Sequence, residues 1–335
     1  MNNKHTLLNI GLLLVCGGLI LTISLLYRNG TDDSIAPQNL LVGADEAEEA
    51  TAEWMKQLPD SLPLLGFALP GTHDSAATHG GKKLQTQGSD VAAQLQAGIR
   101  AFDIRLRERD GKLGLYHSDA FQECYWESEV LPAFLSFLKE HPSEALVVSL
   151  KKEGGEAADY QRLLSQSLNE EANRPYFLTE YSDTTTLGNC RGRILFLHRD
   201  EVMTLYPGVR CEGWADNASC LLTLRTAGGT ETTLFLQDEY EYTTASEWPR
   251  KLEAIQQSLR WMDTPADGSY RSGISFISAT ALPVGFPIDF ANALNLPVTE
   301  WLRAEQLRPK GILFIDFVSH EGGKALVQQL IRSNF

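Results

Sequence analysis

Short apolar runs punctuate the chain at residues 64–69, 101–106, 113–117, 145–150, 193–197, 233–237, 274–277 and 312–317, each bounded by polar or turn-forming residues. They read as eight strands. Between several of them, apolar residues recur at roughly helical spacing over 91–97, 130–140, 158–168, 246–262 and 298–305, and again over 324–332. Eight strands with intervening helices over roughly 280 residues predict a parallel β/α barrel of the TIM type, whose functional groups gather at the carboxyl ends of the strands. No internal repeat interrupts this order.

Residues 7–27 are uncharged and almost wholly apolar, following Lys4 and His5, and predict a transmembrane helix, with a long signal sequence as the alternative. Residues 29–52 carry acidic pairs (Asp32-Asp33, Glu48-Glu49) and read as a tether. The expected organisation is an anchor over 1–28, an acidic linker over 29–52 and one catalytic barrel over 53–335. The 335-residue chain has a net charge of −14; beyond residue 28 it keeps 27 of its 29 basic residues and all 43 acidic ones, or −16. That balance argues against a nucleic-acid partner. Orientation leans towards a barrel held outside the cytoplasm, or secreted after cleavage. In that compartment Cys124, Cys190, Cys211 and Cys220 permit two disulfides, with Cys211–Cys220 the nearest local pair and four free buried thiols the alternative; no CxxC or Cys/His cluster suggests structural zinc.

Several runs end in chemistry. The first leads into Gly71-Thr72-His73-Asp74; the second carries Asp103 and Arg105 on one face, opposite Ile104. His117 and Lys151 end the next two, Arg199 and Asp238 the fifth and sixth, and Asp316 the eighth. A histidine-aspartate pair, a second histidine and an arginine suit a base, an acid and a fixed cation around a phosphoryl group. A turn histidine and a buried Asp103–Arg105 ion pair are the bland alternatives, and the repeated placement at strand ends weighs against both.

The stretches Leu69-Pro70-Gly71-Thr72-His73-Asp74-Ser75, Phe102-Asp103-Ile104-Arg105, Ser149-Leu150-Lys151-Lys152-Glu153 and Arg191-Gly192-Arg193-Ile194, in this order, resemble the bacterial phosphatidylinositol-specific phospholipase C family with its catalytic X domain. The resemblance runs from about Trp54 to the C-terminus. It implies a distorted β/α barrel and a reaction in which the inositol 2-hydroxyl attacks the adjacent phosphorus, releasing diacylglycerol and a cyclic inositol phosphate. On matched positions it implies His73 as general base, Asp316 as its orienting carboxylate, His117 as general acid assisted by Asp74, and Arg105 as the cation on the phosphate, supported by Asp103. It further implies Lys151, Arg199, Asp238 and Tyr240 as inositol-binding residues, no metal or other cofactor, and an inositol phospholipid at a membrane surface as partner.

The chain departs from the family in the segment after His73. Residues 76–90 are rich in glycine and lysine and lack tryptophan, where secreted relatives place membrane-seeking aromatics; Phe286 and Phe290 are the best substitutes, unless both pack in the core. The six tryptophans read as packing residues. Two other functions compete: a metal-dependent glycerophosphodiesterase on a similar barrel, and an inactive barrel that binds a phosphoinositide.

Overall fold

The computed structural model describes residues 51–200, 206–263 and 271–335. Among the described residues the strands are β1 (Ala68–Thr72), β2 (Ala101–Arg109), β3 (Lys112–His117), β4 (Ala120–Tyr125), β5 (Leu146–Lys152), β6 (Ile194–His198), β7 (Val209–Glu212), β8 (Ser219–Arg225), β9 (Glu231–Gln237), β10 (Gly273–Phe276) and β11 (Gly311–Ile315). β1 pairs with both β11 and β2, so nine strands close in the order β1-β11-β10-β9-β8-β7-β6-β5-β2. The helices that cover them are α1 (Val91–Gln96), α2 (Leu131–Glu140), α3 (Ala157–Leu168), α4 (Trp248–Asp263), α5 (Pro287–Glu305) and α6 (Glu321–Arg332).

The expected barrel is present, but it is mixed rather than parallel: β8 runs antiparallel to both β7 and β9. Pattern reading missed β4, β7 and β8 because they are short or half exposed; β7 buries only Val209 and Cys211, and β8 only Leu222 and Leu224. The run at 113–117 is a strand outside the barrel. The far half of β2 leaves β5 to pair with β3, and β3 turns back as β4 in an antiparallel extension. The first strand lies later than the apolar run at 64–69, because Leu64, Leu65 and Phe67 are buried with Trp54 and Met55 in the cluster that fills the barrel interior. α5 starts eleven residues before the expected helix at 298–305 and carries Pro297 inside it, held by Phe290, Leu294, Val298 and Leu302 in the core.

Alternation along each strand sorts its side chains. Ala101, Val147, Leu195, Leu197, Leu234, Leu236, Phe276, Ile312 and Phe314 share the interior cluster, whereas Phe102, Ile104, Val148, Leu150, Phe196, Leu313 and Ile315 pack with the helices. At Gly71 a Cβ would lie 2.9 Å from the Phe314 ring and 3.0 Å from the Ala101 Cβ, so the strand before His73 approaches its neighbours only as glycine.

The four described cysteines are free, which corrects the disulfide expectation. Cys211 of β7 stands opposite Leu224, four residues beyond Cys220, so register keeps the two sulfurs apart. Among the described residues no helix is long and apolar enough to cross a membrane; the run at 7–27 and most of the acidic linker lie outside those residues.

Candidate active site

Inward alternation extended past the ends of the strands delivers the chemistry. The interior parity that passes through Ala101, Val147, Leu197, Leu236 and Phe314 continues to Asp103 and Arg105, Lys151, Arg199, Asp238 and Asp316. Arg105, Lys151, Arg199, Asp238 and Asp316 line one cleft of about 340 Å³ together with His73, His117 and Tyr240, and Asp103 lies buried beneath Arg105. A hollow of about 410 Å³ beside α2 is larger but holds no histidine or arginine.

At the floor, His73 Nδ1 lies 2.9 Å from Asp316 Oδ1 and Arg105 Nη2 lies 2.8 Å from His73 Nε2. A guanidinium only donates, so Nε2 accepts; Nδ1 therefore carries the proton and donates it to Asp316. The contacts define a neutral imidazole of one tautomer. Burial, then the Arg105 charge, push His73 well below the usual histidine range, in the same direction. Burial and neighbouring Asp74 push Asp316 up, and its Oδ2 is buried with no hydrogen-bond partner among the described residues.

The backbone around His73 is held on both sides. Its N–H donates to the Ile315 carbonyl, and its own carbonyl accepts from Gln87 Nε2 at 3.0 Å. Asp74 sits at φ +37°, a conformation rarely adopted without support; its N–H donates to Asp103 Oδ2 at 3.1 Å and its carbonyl accepts from Thr86 Oγ1 at 3.0 Å. That turn aims Asp74 Oδ2 between Arg105 Nη1, at 3.5 Å, and His117 Nδ1, at 3.3 Å. Burial raises the Asp74 carboxyl well above its ordinary value against the pull of Arg105.

Arg105 donates from Nε and Nη2 to Asp103 Oδ2, at 3.1 and 3.0 Å. The Asp103–Arg105 pair is thus real, yet it lies in the cleft beside both histidines, which is a working position. Arg105 and Arg199 hold Asp103 far below the usual carboxylate range despite its burial. His117 Nδ1 donates to the Leu84 carbonyl at 2.6 Å, which leaves Nε2 as its exchangeable nitrogen. Burial and Arg105 bring His117 down to about 4. The two rings stand edge to face with centroids 6.2 Å apart.

The sugar-binding candidates form the opposite wall. Arg199 bridges Asp103 and Asp238, at 3.4 and 3.5 Å, and lies 3.9 Å over the Trp214 ring. Trp214 donates from Nε1 to Asp238 at 2.8 Å, so this tryptophan supports the site rather than merely filling space. Lys151 pairs with Glu153 at 2.9 Å, whereas Lys152 turns away to the Gly154 and Gly155 carbonyls. Tyr240 donates its hydroxyl to Asp216. All ten residues expected from the sequence meet here; Glu153, Trp214, Thr86 and Gln87 were missed, although Glu153 lay within a matched stretch. A fully buried lysine, Lys251 of α4, donates to Gln237 Oε1 at 2.9 Å behind this wall, and burial lowers it to about 7.

The arrangement can supply a base, an acid and a fixed cation around a phosphoryl group, beside a wall of charged groups suited to hydroxyls. Residues 63–200 match the profile of the phosphatidylinositol-specific phospholipase C X domain. The 1-phosphatidylinositol phosphodiesterase of Listeria monocytogenes is 30% identical over 300 residues, covering 85% of either chain. The solved Listeria monocytogenes phosphatidylinositol-specific phospholipase C superposes with a TM-score of 0.67 at 26% identity, over 85% of this chain and 99% of that one. An F249X mutant of the Staphylococcus aureus enzyme superposes with a TM-score of 0.76 at 22% identity, over 86% and 99%.

Proposed function

This chain belongs to the phosphatidylinositol-specific phospholipase C X-domain family, and on that basis we propose that it cleaves phosphatidylinositol, or a glycosylated form of it, by intramolecular transfer. The observation that carries the mechanism is the placement of Arg105 between His73 Nε2 and Asp74, with His117 on the far side of Asp74. As a phosphodiester enters, the guanidinium donors exchange His73 for phosphoryl oxygens. This frees Nε2 to accept the proton of the inositol 2-hydroxyl. The hydroxyl oxygen bonds to phosphorus while the bond from phosphorus to the glycerol oxygen breaks. His117 Nε2 delivers a proton to that oxygen, and diacylglycerol leaves. Asp316 holds the tautomer and meets the charge that forms on His73. Lys151, Arg199, Asp238 and Tyr240 orient the ring, and Asp103 holds Arg105 in place.

Holding the 2-hydroxyl against phosphorus makes the first step unimolecular and favours ring closure over attack by water. Phosphorus magnetic resonance of an early time point should show a cyclic phosphodiester, and a 2-deoxy or 2-O-methyl substrate should be inert. An open monoester appearing first, with no cyclic precursor, refutes the mechanism even if lipid is consumed.

The same reading gives the cleft rim a membrane role. Phe290 is fully buried and Phe286 lies half-buried beneath Lys82, so neither is the free aromatic expected. Leu282 and Val284 are 47% and 63% exposed in the loop before α5, and Leu282 lines the cleft together with Lys83. Apolar tips beside lysines suit an anionic lipid surface. Val284→Asp, at a residue outside the cleft, should weaken binding to phosphatidylinositol vesicles about tenfold, from the transfer cost of one aliphatic side chain. Turnover of a water-soluble inositol phosphodiester should be unchanged; equal loss on both substrates assigns the loop another role. The apolar run at 7–27 would keep the barrel at a membrane, on its outer side, with secretion as the alternative.

A further inference from the structure

Arg107 lies two residues beyond Arg105 on β2, at the point where that strand leaves the barrel to pair with β3. It does not line the cleft, yet its guanidinium ties together the two loops that do. Nη2 donates to the Ser118 carbonyl at 2.6 Å, Nη1 to Asp119 Oδ1 at 3.2 Å, and Nε to the Glu153 carbonyl. The planar group lies 4.5 Å over the Tyr116 ring. A Cβ on Gly154 would come within 2.8 Å of Nη2, so the β5 loop closes on the arginine at a glycine.

His117 stands between the stacked Tyr116 and the bonded Ser118. Ser118 is at φ +52°, outside the range its residue type favours, and its N–H donates to Glu153 Oε1 at 3.1 Å. The histidine's own ring has a hydrogen bond to Leu84 and the contact with Asp74. Beyond its pairing with Ala120 in the hairpin, the turn that follows it is tied to the β5 loop through Arg107 and Glu153, and a planar fork reaches both loops while stacking on the ring.

We propose that Arg107 is a positioning residue for proton delivery: it sets the distance from His117 Nε2 to the leaving oxygen by clamping the β3–β4 turn to the loop after β5. This rests on the reading of His117 as general acid. A residue acting only through the acid matters where the leaving group needs a proton and is dispensable where it does not. An alkoxide leaving from glycerol needs one; a nitrophenolate does not.

The test compares phosphatidylinositol with the 4-nitrophenyl phosphodiester of inositol for the unaltered chain, Arg107→Met, Arg107→Lys and His117→Ala. Arg107→Met should lower kcat on the lipid by about 10- to 10²-fold, the range for a misplaced catalytic group. Its kcat on the nitrophenyl ester should change less than about twofold, with KM for either unchanged. Arg107→Lys should show the same selective loss to a smaller degree, and decides the matter if the methionine variant does not fold. Proportional loss on both substrates, or no loss on either, overturns the proposal while His117→Ala still discriminates between them. If His117→Ala loses both equally, the acid assignment fails and the clamp's role with it.

Discussion

His73→Ala and His117→Ala should each lower phosphatidylinositol turnover by about 10²- to 10⁴-fold, with circular dichroism and thermal midpoint retained. The magnitude follows from removing one proton transfer from a two-proton step. Asp316→Asn should approach the His73 variant, since an amide no longer selects the tautomer with its proton on Nδ1. The pH dependence carries a definite sign. In the free protein His73 is neutral well below the usual histidine range, while His117 is protonated only towards about 4. Falling pH therefore fills the acid while burial and Arg105 keep the base neutral, and kcat/KM should rise as pH drops from about 8 towards about 6. A bound phosphate monoanion offsets the Arg105 charge, so the His117 midpoint in a nuclear magnetic resonance titration should move up by about one to three pH units with inositol 1-phosphate. Near-normal turnover in either purified alanine variant would remove these roles.

Arg105→Lys should cost about 10²- to 10³-fold in kcat, the loss expected when donors aimed at developing charge are removed. Arg105 reaches His73, Asp74 and Asp103 at once through three nitrogens; an ammonium is a single point and cannot hold Asp103 while it meets phosphorus-bound oxygens. The same reasoning predicts full activity of the unaltered chain in chelator. A metal placed among these carboxylates would have to share the cleft with a guanidinium, at a repulsive cost. If chelator abolishes turnover and calcium restores it, the metal-dependent phosphodiesterase replaces this reading; if Arg105→Lys is as active as the unaltered chain, the guanidinium is only structural.

Much of the site was legible because strand chemistry is local. A period of two places Arg105 on the face of Asp103, and Asp316 on that of Ile312 and Phe314, whatever the barrel does. The family resemblance then brings both histidines, Arg105 and the candidate sugar-binding residues into one expectation, and all of them line one cleft. Phe290 reads as either a rim aromatic or a core residue because the sequence pattern places it in a loop; it lies in α5, whose packing buries it.

What the pattern could not carry was closure and register. His73 meets Asp316 across 243 residues only because β1 pairs with β11, a contact that no local window contains. The antiparallel β8 was invisible because Leu221 on its exposed face breaks the alternation of Leu222 and Leu224 with polar neighbours, and its insertion converts a parallel barrel into a mixed one. Register between β7 and β8 also kept Cys211 and Cys220 from pairing. Trp214 reaches the site by the same insertion, in the turn between these strands, where it lies under Arg199 and donates to Asp238. Side-chain parity is a property of one strand, so the residues declare it; which strand ends become neighbours depends on summed burial over the whole barrel, so only the folded chain declares that.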